Sequence, residues 1–146
     1  INARSETIAR KPAFRSACRS RRCIVPADGF YEWARKQGEK PTPYRALRAD
    51  EQPMAMAGVW QNYEVDGRVI TTCAIVTTEA NKTMSKIHHR LPVIIDPGDW
   101  PLWLGEDGKG AAKLMRPVAE HVLDLQRVSS AVNFNRSTGS KLWDEI

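Results

Sequence analysis

With 146 residues, 42% of them apolar, the chain suffices for one globular domain with a sizeable buried core, and residues 1–146 are read as that single domain. Its apolar runs are only a few residues long, far below the ~20 that span a bilayer, and no charged-then-apolar signal segment opens it. A soluble, cytoplasmic protein is therefore expected, nucleoid-associated in a bacterium.

The formal charge of +5 is concentrated near the start, where Arg4, Arg10, Lys11, Arg15, Arg19, Arg21 and Arg22 stand against only Glu6. Cations gathered in one segment can neutralise a phosphate backbone, or they can form a solvated face. A membrane surface fits less well, because Pro12 interrupts the segment and no large apolar face accompanies it. Along the chain, "CIVPADGFYEW" (23–33) reads as a strand bent at Pro26 and Gly29, with glycine supplying dihedral freedom. A polar loop (34–43) and the alternating "YRALRA" follow, then the apolar run "MAMAGVWQNY" (54–63). "EVDG" (64–67) carries the Asp-Gly signal of a tight hairpin, with "RVITTCAIVT" (68–77) as its return strand.

Residues 78–87 predict a short helix or helical turn with Thr78 as cap, and "LPVII" extends after it. Asp96, Pro97 and Asp99 form a helix start, which Pro101 makes short, kinked or restarted. "AAKLMR" reads as a short helix ended by Pro117, "HVLDLQRV" (121–128) as a strand, and the Ser- and Asn-rich tail as irregular. Strands outnumber helices without alternating regularly with them, which predicts an α+β domain.

Glu32 lies between aromatics in "GFYEW", so a strand face can hold its carboxylate against apolar surroundings, a setting for acid–base work; an edge strand with Glu32 in water is the alternative. His88 and His89 are adjacent, and on an extended segment they point to opposite faces, so at most one enters a site. Cys18, Cys23 and Cys73 are odd in number and irregularly placed, which argues against a disulfide framework. Cys18 and Cys23 lack a second ligand pair for zinc, and Cys73, within an alternating strand, reads as core. No Walker A, dinucleotide or GxSxG pattern is present, and no metal or cofactor is expected. Trp33 is placed either to fill the core or to stack on an unpaired base.

"INARSET", "ADGFYEW", "IVTTEAN" and "IHHRLPVII", in this order and spanning most of the chain, resemble the SOS-response-associated peptidase family, the SRAP domain. The resemblance implies a curved, barrel-like antiparallel β-sheet core with flanking short helices. It also implies a DNA-damage role at abasic sites in single-stranded DNA, acting as a monomer. In that family the initiator Met is removed by autocatalysis, and the exposed N-terminal Cys crosslinks to the lesion as a thiazolidine. Carried over residue by residue, Asn2, Glu32 and His88 take the catalytic positions, while Arg4, Trp33, Thr77 and Arg90 take DNA-binding ones. His89 receives no role. The "Met-Cys-Gly" start is absent, so the chain is expected to be a domain truncated at its N-terminus, crosslink-dead in isolation. A non-covalent single-strand binding module relying on Arg4, Arg90 and Trp33 is a competing reading, and a peptidase acting on other proteins is a third.

Overall fold

In the computed structural model, which describes residues 2–146, the strands fall into two sheets flanked by short helices. In chain order the elements are β1 (Asn2–Arg4), α1 (Pro12–Ser20), β2 (Arg22–Ala27), β3 (Gly29–Ala34), β4 (Thr42–Arg48), β5 (Met54–Val65), β6 (Arg68–Glu79), β7 (Arg90–Pro92), α2 (Trp100–Leu104) and β8 (Leu123–Arg127), with several 3₁₀ turns. The larger sheet runs β1-β6-β5-β2 with β7 also on β6, and the smaller runs β3-β4-β8. The expected α+β class and antiparallel core are present, although β1 joins β6 in parallel.

The β5–β6 hairpin is the frame. Its turn places Asp66 at φ 51° and Gly67 at φ 72°, the pair of left-handed residues that an Asp-Gly type I′ turn requires. The two strands stay paired from Val65↔Arg68 to Gly58↔Ile75 and then diverge. Residues 90–95 fill the fork: Leu91 pairs with Thr78, Val93 donates to Val76 and accepts from Ala57, and Ile95 donates to Ala55. This wedge carries His88 and Arg90 to the mouth of the fork.

The bend expected in residues 23–33 is a complete transfer between sheets, with β2 on one side of Asp28 and β3 on the other. Gly29 serves it by close approach rather than by unusual dihedrals. A Cβ there would lie 2.4 Å from the Ala46 carbonyl oxygen and 2.7 Å from the Trp143 ring.

Two apolar clusters sit on opposite faces of the larger sheet. Ala57, Val59, Ala74 and Val76 face α1 and α2, where Trp103 is fully buried and its indole donates to the Cys23 carbonyl at 2.8 Å. Burying such a side chain contributes about 1.5–3 kcal/mol. Met54, Met56, Leu91 and Ile94 face the smaller sheet and meet Leu123, Phe30 and Leu125.

Three local expectations are corrected. Pro12 does not interrupt the basic segment but starts α1 from its first turn, where its missing amide costs nothing. Phe14, Ala17 and Cys18 turn inward from that helix. Thr78 caps no helix, because β6 runs through it to Glu79; only a 3₁₀ turn forms at Met84–Lys86, with Asn81 Oδ1 accepting from the Met84 amide at 2.9 Å. Cys73 is exposed rather than core, since the hairpin projects beyond both clusters. Pro101 does restart its helix: a 3₁₀ turn at Pro97–Asp99 passes into α2. Among the described residues, no helix is long and apolar enough to cross a membrane.

Candidate active site

Strand alternation decides which way β3 presents its side chains. Phe30 packs into the core between the sheets, so Glu32 shares that inner face, while Tyr31 and Trp33 take the outer one. Across the fork, the 3₁₀ turn at Met84–Lys86 ends with the His88 amide donating to Met84. There His88 Nδ1 lies 3.7 Å from Glu32 Oε2. Residues far apart in sequence thus meet at the edge of the inter-sheet core, each about a quarter to a third exposed.

His88 Nδ1 also lies 3.1 Å from both the amide and the carbonyl of Arg90. The amide needs an acceptor, which the Nε2-protonated tautomer provides; the carbonyl and the Glu32 carboxylate need a donor, which the imidazolium provides. Both protonation states find partners, as proton exchange requires. Glu32 Oε1 accepts from the Trp33 amide at 3.1 Å, which fixes the carboxylate.

The pair opens on a cleft of about 250 Å³ whose lining includes Asn2, Phe30, Met56, Ile75, Thr77 and Arg90. Asn2 and Arg4 alternate with buried Ala3 on β1, beside Ile75 and Thr77 on β6. Asn2 reaches the cleft; Arg4 is exposed on the same strand and is not part of its lining. Trp33 also lies outside the lining, its indole donating to Asn133 Oδ1 at 2.6 Å. Thr77 is buried, and its carbonyl and hydroxyl accept from Arg90 Nη2 at 2.8 and 3.2 Å.

Arg90 holds a partner that the sequence did not announce. Glu6 Oε1 and Oε2 accept from its Nη1 and Nη2 at 2.6 and 3.0 Å, a bidentate pair. The hydrogen bonds from Arg90 hold the Glu6 carboxyl at about 2, below its ordinary 4.5. Arg90 Nε is buried with no hydrogen-bond partner among the described residues. The only signal for Glu6 in the sequence is that it is the single carboxylate within the basic segment.

The rest of that segment lies elsewhere. Because α1 packs on the sheet face opposite the cleft, Arg10, Lys11, Arg15 and Arg19 do not line it. Arg21 and Arg22 brace the fold, donating to the carbonyls of Trp60 and of Trp103, Cys18 and Arg19. Among the described residues, no group of three or more His, Cys, Asp or Glu gathers as a metal site.

A family model described as SOS response associated peptidase (SRAP) matches residues 1–135. The abasic site processing protein YoaM of Bacillus subtilis is 37% identical, the alignment covering 99% of this chain and 65% of YoaM. YoqW of the same organism, also named an abasic site processing protein, is 36% identical, with 97% of this chain and 65% of YoqW covered. A crystal structure of a Bacteroides thetaiotaomicron protein superposes with a TM-score of 0.90 at 28% identity, covering 99% of this chain and 65% of that one. The chain thus spans about two-thirds of the length of these relatives.

Proposed function

Because the chain belongs to the SOS response associated peptidase (SRAP) family, we propose that residues 1–146 act as one SRAP domain that processes abasic sites in single-stranded DNA, with Glu32 and His88 as its acid–base pair. The observation that carries this reading is the 3.7 Å approach of His88 Nδ1 to Glu32 Oε2 at a cleft that Asn2 also lines. The names of YoaM and YoqW point the same way.

An abasic deoxyribose exists partly as an open-chain aldehyde. The α-amine of an N-terminal Cys, exposed in the complete protein by loss of its initiator Met, adds to the carbonyl carbon to give a carbinolamine. Loss of water yields the imine, and the thiol of the same residue adds across the C=N bond, its proton passing to nitrogen. Thiazolidine formation needs amine and thiol on one residue, so Cys18, Cys23 and Cys73 cannot replace that nucleophile. Glu32 takes a proton from the N-terminal ammonium, freeing the amine that attacks, and returns it to the leaving hydroxyl; His88 protonates the sugar ring oxygen as it opens. With Nδ1 turned to Glu32 and the Arg90 backbone, His88 offers Nε2 to the sugar. Asn2 positions the nucleophile. Arg90, which lines the cleft, and Arg4, exposed beside it on β1, meet flanking phosphates.

The test is incubation of the complete gene product with an abasic single-stranded oligonucleotide, followed by a denaturing gel. A band that survives denaturation, lost on Cys→Ala at the N-terminus and weakened in Glu32→Ala, is the expected result. No surviving band, or indifference to both substitutions, defeats the proposal. Binding intact and abasic strands equally without crosslinking would instead establish a non-covalent module.

A further inference from the structure

The outer face of the smaller sheet carries aromatics leading away from the cleft. Tyr31 borders the cleft on β3, and its ring lies on the outer face, 6.3 Å from that of Trp33. Trp143 packs edge-on against Tyr31 at 5.0 Å, and Arg45 donates to the Trp143 carbonyl, so the C-terminal tail is pinned to the sheet. At the other end of the row, the Trp33 indole fixes Asn133 at 2.6 Å. The next residue, Phe134, leaves 67% of its surface in water. One exposed aromatic is ordinary on a protein surface. This one comes directly after Asn133, which Trp33 holds, and both chain segments that meet there carry cations. Arg35 and Lys36 come immediately after β3, Lys40 closes the same loop and Arg136 stands two residues past Phe134. All four are exposed, and none forms a salt bridge among the described residues. Glu39 is the carboxylate in that loop.

We propose that this face is a stacking track for unpaired nucleotides on one side of the lesion, with bases on Trp33 and Phe134 and phosphates on Arg35, Lys36 and Arg136. The inference rests on the abasic-site reading above and adds the path by which the strand leaves the cleft. The chemistry fits a single strand better than a peptide or a duplex. Aromatic faces accept any base, and exposed, unpaired cations follow the backbone. Because Trp33 is held by its hydrogen bond to Asn133, it loses little side-chain freedom when a base stacks on it.

The experiment uses the complete gene product and fluorescein-labelled strands carrying a tetrahydrofuran abasic analogue. One strand has two nucleotides on each side of the lesion, and the others are extended by eight nucleotides on the 5′ or the 3′ side. Anisotropy titrations are expected to show about ten-fold tighter binding for one of the two extensions. Phe134→Ala removes most of that gain and Phe134→Trp keeps it. Arg35→Gln with Lys36→Gln lowers the log–log salt slope by about 0.7 for each phosphate that is no longer neutralised. The track is overturned if neither extension tightens binding, or if Phe134→Ala binds the extended strands as the parent does. Crosslinking of the parent to a short strand with a natural abasic site separates the two failures. A crosslink without an extension gain removes only the track, whereas neither crosslink nor binding removes the abasic-site reading and the track with it.

Discussion

Glu6 grips Arg90 through both carboxylate oxygens, at 2.6 and 3.0 Å, beside the cleft that Arg90 lines. A guanidinium neutralised in this way attracts a phosphate weakly, so on the proposed function a strand has to displace the carboxylate or be drawn by the remaining donors. Glu6→Gln removes the competing charge, while Thr77 still anchors Arg90 Nη2. The expected outcome is tighter binding of single strands, a few-fold at low salt, with a log–log salt slope steeper by about 0.7. Affinities measured across a salt series check it. Weaker binding by Glu6→Gln would mean that Glu6 orients Arg90 rather than competing for it.

The same pair makes stability depend on acid. Glu6 titrates at about 2 when folded, against an ordinary 4.5, so its stabilisation is complete above 4.5 and is lost as pH falls toward 2. Between pH 6 and 8 the pair stays ionised and contributes no pH dependence. In urea unfolding, Glu6→Gln is expected to be less stable than the parent above pH 5, with the gap narrowing as pH falls. A gap independent of pH from 6 to 3 would show that the pair does not stabilise the fold.

Much of this architecture could be read from local pattern, and its failures have physical causes. Asp66-Gly67 announced the hairpin because few residue pairs tolerate two consecutive positive φ angles. Alternation marked β6, but it could not show that the end of the hairpin projects past the core, so Cys73 was misplaced. The helix α1 was hidden because Phe14, Ala17 and Cys18 are sparse among cations and Pro12 resembles a breaker. Glu32, His88 and Arg90 were singled out by resemblance, yet their meeting depends on the fork between β5 and β6, which no local spacing encodes. Glu6 was legible only as a charge, because its partner is brought to it by tertiary packing.

Glu32 and His88 are close enough to act as one unit. Glu32→Gln keeps the carboxamide oxygen that can accept from the Trp33 amide but removes the proton-accepting charge. Crosslinking to an abasic strand is expected to slow by about 10²–10⁴-fold, and His88→Gln falls in the same range. The double variant loses little beyond the worse single one. Single-turnover gel kinetics on the four proteins decide this, and losses that multiply would mean that the two side chains serve separate steps.

The thiols differ in reactivity for structural reasons. Burial raises Cys18 and Cys23 above the ordinary thiol value, so their thiolates are scarce at neutral pH. Cys73 is exposed on the hairpin. With iodoacetamide at pH 7.5, Cys73 is expected to label first, and Cys18 and Cys23 only as pH rises or the chain unfolds. Peptide mapping by mass spectrometry identifies the order. Early labelling at Cys18 would show that α1 lifts from the sheet in solution.

Gly29 is where the chain leaves one sheet for the other, and the Ala46 backbone and Trp143 ring fill the space a side chain would need. In Gly29→Ala the new methyl would lie 2.4 Å from a carbonyl oxygen, so backbone must move. Ala46 belongs to β4, whose pairing with β3 sets the height of Glu32 opposite His88. The substitution is expected to cost about 1–3 kcal/mol in urea unfolding, the usual range for overpacking. It is also expected to slow crosslinking, since displacing β3 widens the Glu32–His88 gap. Gly38→Ala serves as the comparison, because its φ of 79° strains the backbone while no atom lies within 4 Å of the added methyl. That variant loses stability without losing activity per folded molecule. Equal effects of the two substitutions on crosslinking would show that the junction at Gly29 does not position the site.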